Sequence, residues 1–353
     1  MKVAVFSTHG YDKKYLNAVL NSRYPDSPSP APKVELVFHE FSLSTETVAL
    51  ASGANAVCVF VNDVLNAPVL EGLHQLGVRA ILLRCAGYNN VDLKMAEHLG
   101  FFVANVPSYS PEAVAEFAIA LIQTLNRKTH RAYNRVREGN FSLEGLLGRA
   151  LHGKTVGIMG TGKIGVATAR ILKGFGCTLL AFDPFQNDHF KQLGEYTDLD
   201  TLLSKSDIVS LHCPLMDSTH HIINEQTLSK MKRGALLINT SRGGLINTKS
   251  VITALKNNQL GGLALDVYES EGALFYNDHS NNIIQDDELM RLMTFPNVII
   301  CGHQAFFTEE ALTEIAECTL RNMDDFMKRV PCKHSLIAGG RTMVRRDSHP
   351  VRI

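Results

Sequence analysis

Short apolar runs of four to six residues recur along the whole chain, and between them lie stretches in which apolar residues return with helical spacing. Alternation of strand and helix on this scale is the pattern of an α/β architecture with parallel sheets. Before residue 105 the runs predict strands near Lys2–Phe6, Val34–Phe38, Ala56–Phe60, Ala80–Leu83 and Phe102–Ala104. A second series follows at Thr155–Met159, Thr178–Phe182, Ile208–Leu211, Ala235–Asn239, Gly262–Leu265 and Val298–Cys301. Two series imply two modules.

Between them, Pro111–Leu125 is apolar on nearly every side except at Glu112, Glu116, Gln123 and Thr124. A helix of that kind must be buried on most faces, which places it between domains or between subunits. After the last strand, Glu309–Lys328 predicts a helix that returns the chain to the first module. The expected division is therefore 1–105 with 303–330 as one domain and 106–302 as the other. Two chain crossings between them make natural hinges, with a cleft between the domains. The proline-rich 24–33 reads as a surface loop, and the polar 331–353 as a disordered tail. The connection Glu271–Asp286 is long for a compact domain, which marks it as functional or disordered.

The densest signal is Val156–Asp183, which describes a strand, a glycine-rich turn, a helix and a second strand. Gly160 permits the tight turn, Gly162 lets backbone amides approach a pyrophosphate, and Gly165 lets helix and strand pack closely. The helix opening near Lys163 turns its N–H groups and positive dipole end toward the phosphates. Asp183, closing the second strand, suits a ribose 2′-hydroxyl and repels a 2′-phosphate. No arginine follows it in Pro184–Phe185–Gln186, so the expected cofactor is NAD rather than NADP.

Composition narrows the setting. The 353 residues suffice for two domains, and 35 basic against 35 acidic residues leave no global field for nucleic acid or anionic membrane. The basic stretch Arg127–Arg137 reads as the solvated end of a helix. Seven scattered cysteines without a C-x-x-C pair fit neither a disulfide framework nor a zinc site. No metal is expected, and with no signal peptide or membrane-spanning run the expected location is the cytoplasm.

In doubly wound sheets ligands bind beyond the carboxyl ends of strands. Three such loops carry reactive groups: Arg242 after Ala235–Asn239, Glu269 and Glu271 after Gly262–Leu265, and His303 after Val298–Cys301. Together they supply what carbonyl reduction needs. Arg242 offers a planar fork for a carboxylate and a fixed charge beside a carbonyl oxygen. His303 can donate a proton, and an acid paired with its imidazole would orient it. Spacing alone leaves Glu269 and Glu271 as competitors for that role.

At this point the chain resembles the D-isomer-specific 2-hydroxyacid dehydrogenases, from Met1 to about Arg329. The resemblance rests on LRCAGYNNVDL (Leu83–Leu93), NVPSYSPEAVAEFA (Asn105–Ala118), HCPL (His212–Leu215), NTSRGG (Asn239–Gly244), DVYESE (Asp266–Glu271) and GHQAF (Gly302–Phe306), in family order. Within the family, the loop at Arg84–Gly87 and the DVYE-x-E loop are similar to the fermentative D-lactate dehydrogenases of bacteria. The resemblance implies a Rossmann NAD-binding domain beside a flavodoxin-like substrate domain, and a catalytic trio of Arg242, Glu271 and His303. It implies substrate contacts from the Ala86 and Gly87 amides and from Tyr109, with Phe306 narrowing the pocket toward pyruvate. For NAD it implies Lys163 and Ile164 at the pyrophosphate, Asp183 at the ribose and Cys213, Pro214 and Thr219 along the adenine. Thr240, Ser241 and Asp266 would surround the nicotinamide, Asp266 accepting from its carboxamide. NADH-dependent reduction of pyruvate to D-lactate is the activity implied, and the apolar Pro111–Leu125 adds a homodimer or homotetramer. Hydroxypyruvate, glyoxylate or bulkier 2-oxo acids are the alternative substrates. NAD-sensing corepressors sharing the fold are the non-enzymatic alternative.

Overall fold

The computed structural model describes residues 1–23 and 34–337. The expected loop at 24–33, and the part of the expected tail from residue 338 onward, lie outside the described residues. The described residues divide into two compact units, one of Met1–Ser110 with 307–337, the other of Pro111–Phe306.

In the first unit, β1 (Lys2–Val5), β2 (Glu35–Phe38), β3 (Ala56–Val59), β4 (Ala80–Leu83) and β5 (Phe102–Ala104) form a parallel sheet in the order β2-β1-β3-β4-β5. That is the flavodoxin-like order. The helix Glu309–Lys328 packs on the helix Gly10–Arg23, and its Ala316, Leu320 and Met323 share one core with Val3, Val5, Leu16, Val19, Cys58 and Leu82. Thr308 caps its start by accepting from Ala311 N, and Arg329, at φ +54°, ends it in the left-handed region.

Residues 331–337 correct the expected tail. Ser335 bridges antiparallel to Ala104, Leu336 N donates to Val103 O at 2.8 Å, and Cys332 is 2 % exposed. Pairing with the free edge of β5 is what orders this polar segment.

The second unit holds β6 (Thr155–Met159), β7 (Thr178–Phe182), β8 (Glu195–Tyr196), β9 (Ile208–Leu211), β10 (Ala235–Asn239), β11 (Leu260–Leu265) and β12 (Val298–Ile300). Its parallel sheet runs β12-β11-β10-β9-β6-β7-β8, a doubly wound order that reverses between β6 and β9. Ligands of such sheets bind beyond the strand ends at that reversal. The two-residue β8 is too short to leave a periodic signal, and the sequence did not predict it.

Two expectations change here. The helix Pro111–Arg127 is covered by the helix Lys163–Gly174 and by β10 to β12 of its own unit, so intrachain packing accounts for its apolar girth. His303, expected in the domain with 303–330, belongs to the second unit. The amides of Gln304 and Ala305 donate to Asp266 at 2.8 and 2.9 Å and tie this loop to the end of β11.

The helix Thr129–Arg137 buries nothing. Lys128 Nζ donates to Gly145 O and Leu147 O, and Arg135 Nη1 to Ser142 O and Glu144 O. These bonds fix a segment that leaves Phe141, Leu143 and Leu147 at 74, 82 and 89 % exposure.

Candidate active site

The second unit carries the glycine turn. Gly160 follows β6 at φ +96°, and a Cβ there would lie 2.6 Å from the His212 carbonyl. A Cβ on Gly165 would lie 2.0 Å from Gly160 O. Both positions therefore admit only glycine. Gly162 takes the N-cap position of the helix Lys163–Gly174 in extended conformation and gives it no side-chain cap. The start of that helix points amides toward a ligand's oxygens, the arrangement that suits a pyrophosphate.

Asp183 sits just beyond β7. Its Oδ2 accepts from Thr161 N at 2.7 Å and Thr161 Oγ1 at 3.0 Å, and its Oδ1 from Phe185 N at 2.8 Å. Thr161 is in turn held by Tyr196 Oη at 2.7 Å and by Asn187 Nδ2, which donates to its carbonyl at 2.9 Å. Thr161, Asn187 and Tyr196 thus fix the direction of the acidic side chain. Sequence reasoning missed all three, because Tyr196 comes from the unpredicted β8.

Beyond β9, burial pushes the Cys213 thiol up to about 12, so it stays protonated. Its carbonyl accepts from Ser241 Oγ at 2.6 Å, joining this loop to the one after β10. Thr219 Oγ1 donates to Pro214 O at 2.7 Å and closes the turn. Thr240 is 8 % exposed, and its buried hydroxyl finds no partner among the described residues. A buried hydroxyl left over at a strand's carboxyl end is what a polar ligand atom would satisfy. The donor set and the glycine cradle therefore fit a bound dinucleotide.

Asp266 follows directly on the end of β11. It is fully buried, burial raises its carboxyl above the usual range, and each of its oxygens accepts one of the Gln304 and Ala305 amides. Its observed task is to hold the loop that carries His303.

Arg242, Glu271 and His303 lie on neighbouring loops of this unit. His303 takes φ +57°, and its Nδ1 stands 2.9 Å from Glu271 Oε1, while Glu271 Oε2 accepts from Tyr268 N at 2.8 Å. Gly243 packs against the same turn, where a Cβ would lie 2.1 Å from the Tyr268 carbonyl. Arg242, immediately before it, donates through Nη1 to Ser241 O at 2.8 Å, and no carboxylate among the described residues pairs with it. Its charge is left for an anion.

Glu269, the competitor, points elsewhere. It bonds to His221 Nε2 and accepts from Thr248 Oγ1 at 2.8 Å; burial alone would raise its carboxyl, but these bonds hold it below the usual range. With His220 and His221 it forms a group whose ligand atoms lie within 4.8 Å of one another. Asn247 Oδ1 is occupied by Ser250, so Asn247 Nδ2 faces His221 Nδ1 at 3.4 Å. These contacts join His221, Asn247, Thr248 and Glu269 in one hydrogen-bonded clamp.

The first unit carries Ala86, Gly87 and Tyr109. Asn105 Nδ2 donates to Ala86 O at 2.8 Å and Cys85 Sγ to Gly87 O at 3.2 Å, and the Ala86 and Gly87 amides find no acceptor among the described residues. Just before them, Arg84 is 2 % exposed and bonds Asp12 at 3.0 Å and Ser7 O at 2.6 Å, anchoring the loop from beneath. Phe306 is 7 % exposed and closes the second unit.

Residues 119–305 match the sequence profile described as D-isomer specific 2-hydroxyacid dehydrogenase, NAD binding domain. The chain is 65 % identical to "2-hydroxyacid dehydrogenase A" of Aspergillus oryzae and 66 % identical to "D-lactate dehydrogenase kk1H" of Curvularia clavata, in both cases over 100 % of each chain. The solved apo-structure of D-lactate dehydrogenase from Escherichia coli superposes with a TM-score of 0.86 at 50 % identity, covering 96 % of this chain and 100 % of that one.

Proposed function

The chain belongs to the D-isomer specific 2-hydroxyacid dehydrogenases, NAD-dependent enzymes, and from that premise we propose that it reduces pyruvate to D-lactate. One contact carries the reading: His303 Nδ1 against Glu271 Oε1 at 2.9 Å. With Nδ1–H committed to the carboxylate, Nε2 is the ring nitrogen that delivers a proton to the carbonyl oxygen as it gains charge. Arg242 grips the substrate carboxylate and polarises the adjacent carbonyl. Bound NADH supplies the hydride. The amides of Ala86 and Gly87 and the Tyr109 side chain add to the substrate grip, and Phe306 limits its size.

For the cofactor, the turn Gly160–Gly162–Gly165 with Lys163 and Ile164 would receive the pyrophosphate and Asp183 the adenosine ribose. Cys213, Pro214 and Thr219 would line the adenine, and Thr240, Ser241 and Asp266 the nicotinamide. Asp266, which also holds the His303 loop, would accept from the nicotinamide's carboxamide. The seven free thiols suit a reducing compartment, so the proposal sets a fermentative reaction in the cytoplasm. Among the described residues no helix is long and apolar enough to cross a membrane.

The test is a steady-state comparison of pyruvate, 2-oxobutyrate, phenylpyruvate, hydroxypyruvate and glyoxylate with NADH, followed by chiral analysis of the product. Pyruvate is expected to show the highest kcat/KM and to give D-lactate. A preference for another 2-oxo acid, or an L product, overturns it.

We further propose self-association through Phe141, Leu143 and Leu147, because apolar side chains this exposed on a segment so firmly bonded call for a covering surface. Light scattering should find at least a dimer in the native protein, and Leu143→Glu with Leu147→Glu should weaken it. An unchanged dimer would remove this segment from the interface.

A further inference from the structure

The long connection after β11 does more than deliver Glu271. A short 3-10 turn, Glu271–Ala273, folds the chain back, with Leu274 N and Phe275 N both donating to Glu271 O at 2.9 Å. Phe275 is buried, and its ring lies 6.5 Å from that of Tyr268, so the turn is pinned to the core. The next residue, Tyr276, takes φ +68° and brings its ring to 5.7 Å from the His303 imidazole at an interplanar angle of 35°.

Two non-glycine residues with left-handed backbones therefore meet at one imidazole. Bulky residues hold such conformations only where the surroundings over-determine them, and these cluster where a site demands a particular orientation. The bond to Glu271 fixes one edge of the His303 ring but leaves it free to swing about the Nδ1···O line. A flat aromatic neighbour at this separation lies in the range of attractive ring pairs, and it removes that swing.

We propose that Tyr276 is a positioning residue for His303, its ring holding the face of the imidazole while Glu271 holds the edge, so that Nε2 keeps one direction during proton transfer. The proposal rests on the reading of His303 as proton donor. A planar ring is what the role needs, so phenylalanine should serve and an aliphatic side chain should not.

The experiment compares Tyr276→Phe and Tyr276→Leu in the full chain with NADH and pyruvate, each alone and in a His303→Gln background. Tyr276→Phe should keep kcat within about twofold, whereas Tyr276→Leu should lower kcat by roughly tenfold or more, with both KM values little changed. The solvent deuterium isotope effect on kcat should rise in Tyr276→Leu. In the His303→Gln background the leucine should cost nothing further, since the two residues act as one unit. Native kcat in Tyr276→Leu, an equal loss in Tyr276→Phe, a raised KM with unchanged kcat, or a further loss in the His303→Gln background would each overturn the proposal. Near-native turnover in His303→Gln alone would instead defeat the proton-donor reading beneath it. If Tyr276→Leu does not fold, Tyr276→Met fills the volume without a flat face and carries the same expectations.

Discussion

At the scale of single residues, the site depends on which groups are already committed and which are left over. Arg242 spends one nitrogen on the Ser241 carbonyl and keeps its charge unpaired by any carboxylate among the described residues. Replacing it with lysine keeps the charge but loses the planar fork, so kcat/KM for pyruvate is expected to fall roughly a hundredfold. Near-native efficiency in Arg242→Lys would take Arg242 out of the substrate grip. The choice between Glu269 and Glu271 shows where spacing stops being informative. The two acids stand two residues apart, and only the turn at Tyr268–Glu271 decides that one meets His303 and the other His221. Tyr276 left no trace in the sequence either, because a tyrosine in an irregular loop has no period to reveal its neighbour.

At the scale of elements, the glycine turn makes the tightest glycine contact among the described residues. A Cβ on Gly165 would lie 2.0 Å from Gly160 O, backbone that cannot step aside, so the helix Lys163–Gly174 must move away from β6. Gly165→Ala is expected to cost about 1–3 kcal/mol of stability. It should also weaken NADH binding by at least about tenfold, because the displaced helix start no longer meets the pyrophosphate. A fluorescence titration with native NADH affinity would show that the helix start does not hold the phosphates. Most of the parallel strands were legible because they are continuous runs of apolar residues buried by helices. What escaped were elements held by pairing rather than by pattern: the two residues of β8, and 331–337, whose place is set by the edge of β5.

At the scale of the whole molecule, stability is tied to pH through a residue outside the proposed chemistry. His212 is 6 % exposed, its Nε2 is 2.9 Å from Ser210 Oγ, and burial lowers its pKa from 6.5 to about 4. An unfolded chain takes up a proton there below about 6.5, which the folded chain refuses until about 4, so this share of stability is full above that window and is lost as pH falls through it. Between pH 7 and pH 5 the loss attributable to His212 is about 2 kcal/mol. Urea unfolding at the two values should show a smaller difference in His212→Asn than in the native protein. Equal differences would mean that the buried imidazole is not what makes the fold acid-sensitive.

The last long helix also sets an order in time. The core of the first unit needs Ala316, Leu320 and Met323, which leave the ribosome after every described residue of the second unit. Among the described residues the second unit is one continuous stretch, Pro111–Phe306, and can complete itself during synthesis while the faces of Leu16 and Val19 wait uncovered. At ordinary rates of translation that wait lasts on the order of 15–60 s. The segment Met1–Ser110 is therefore where a nascent-chain chaperone has the most to shield.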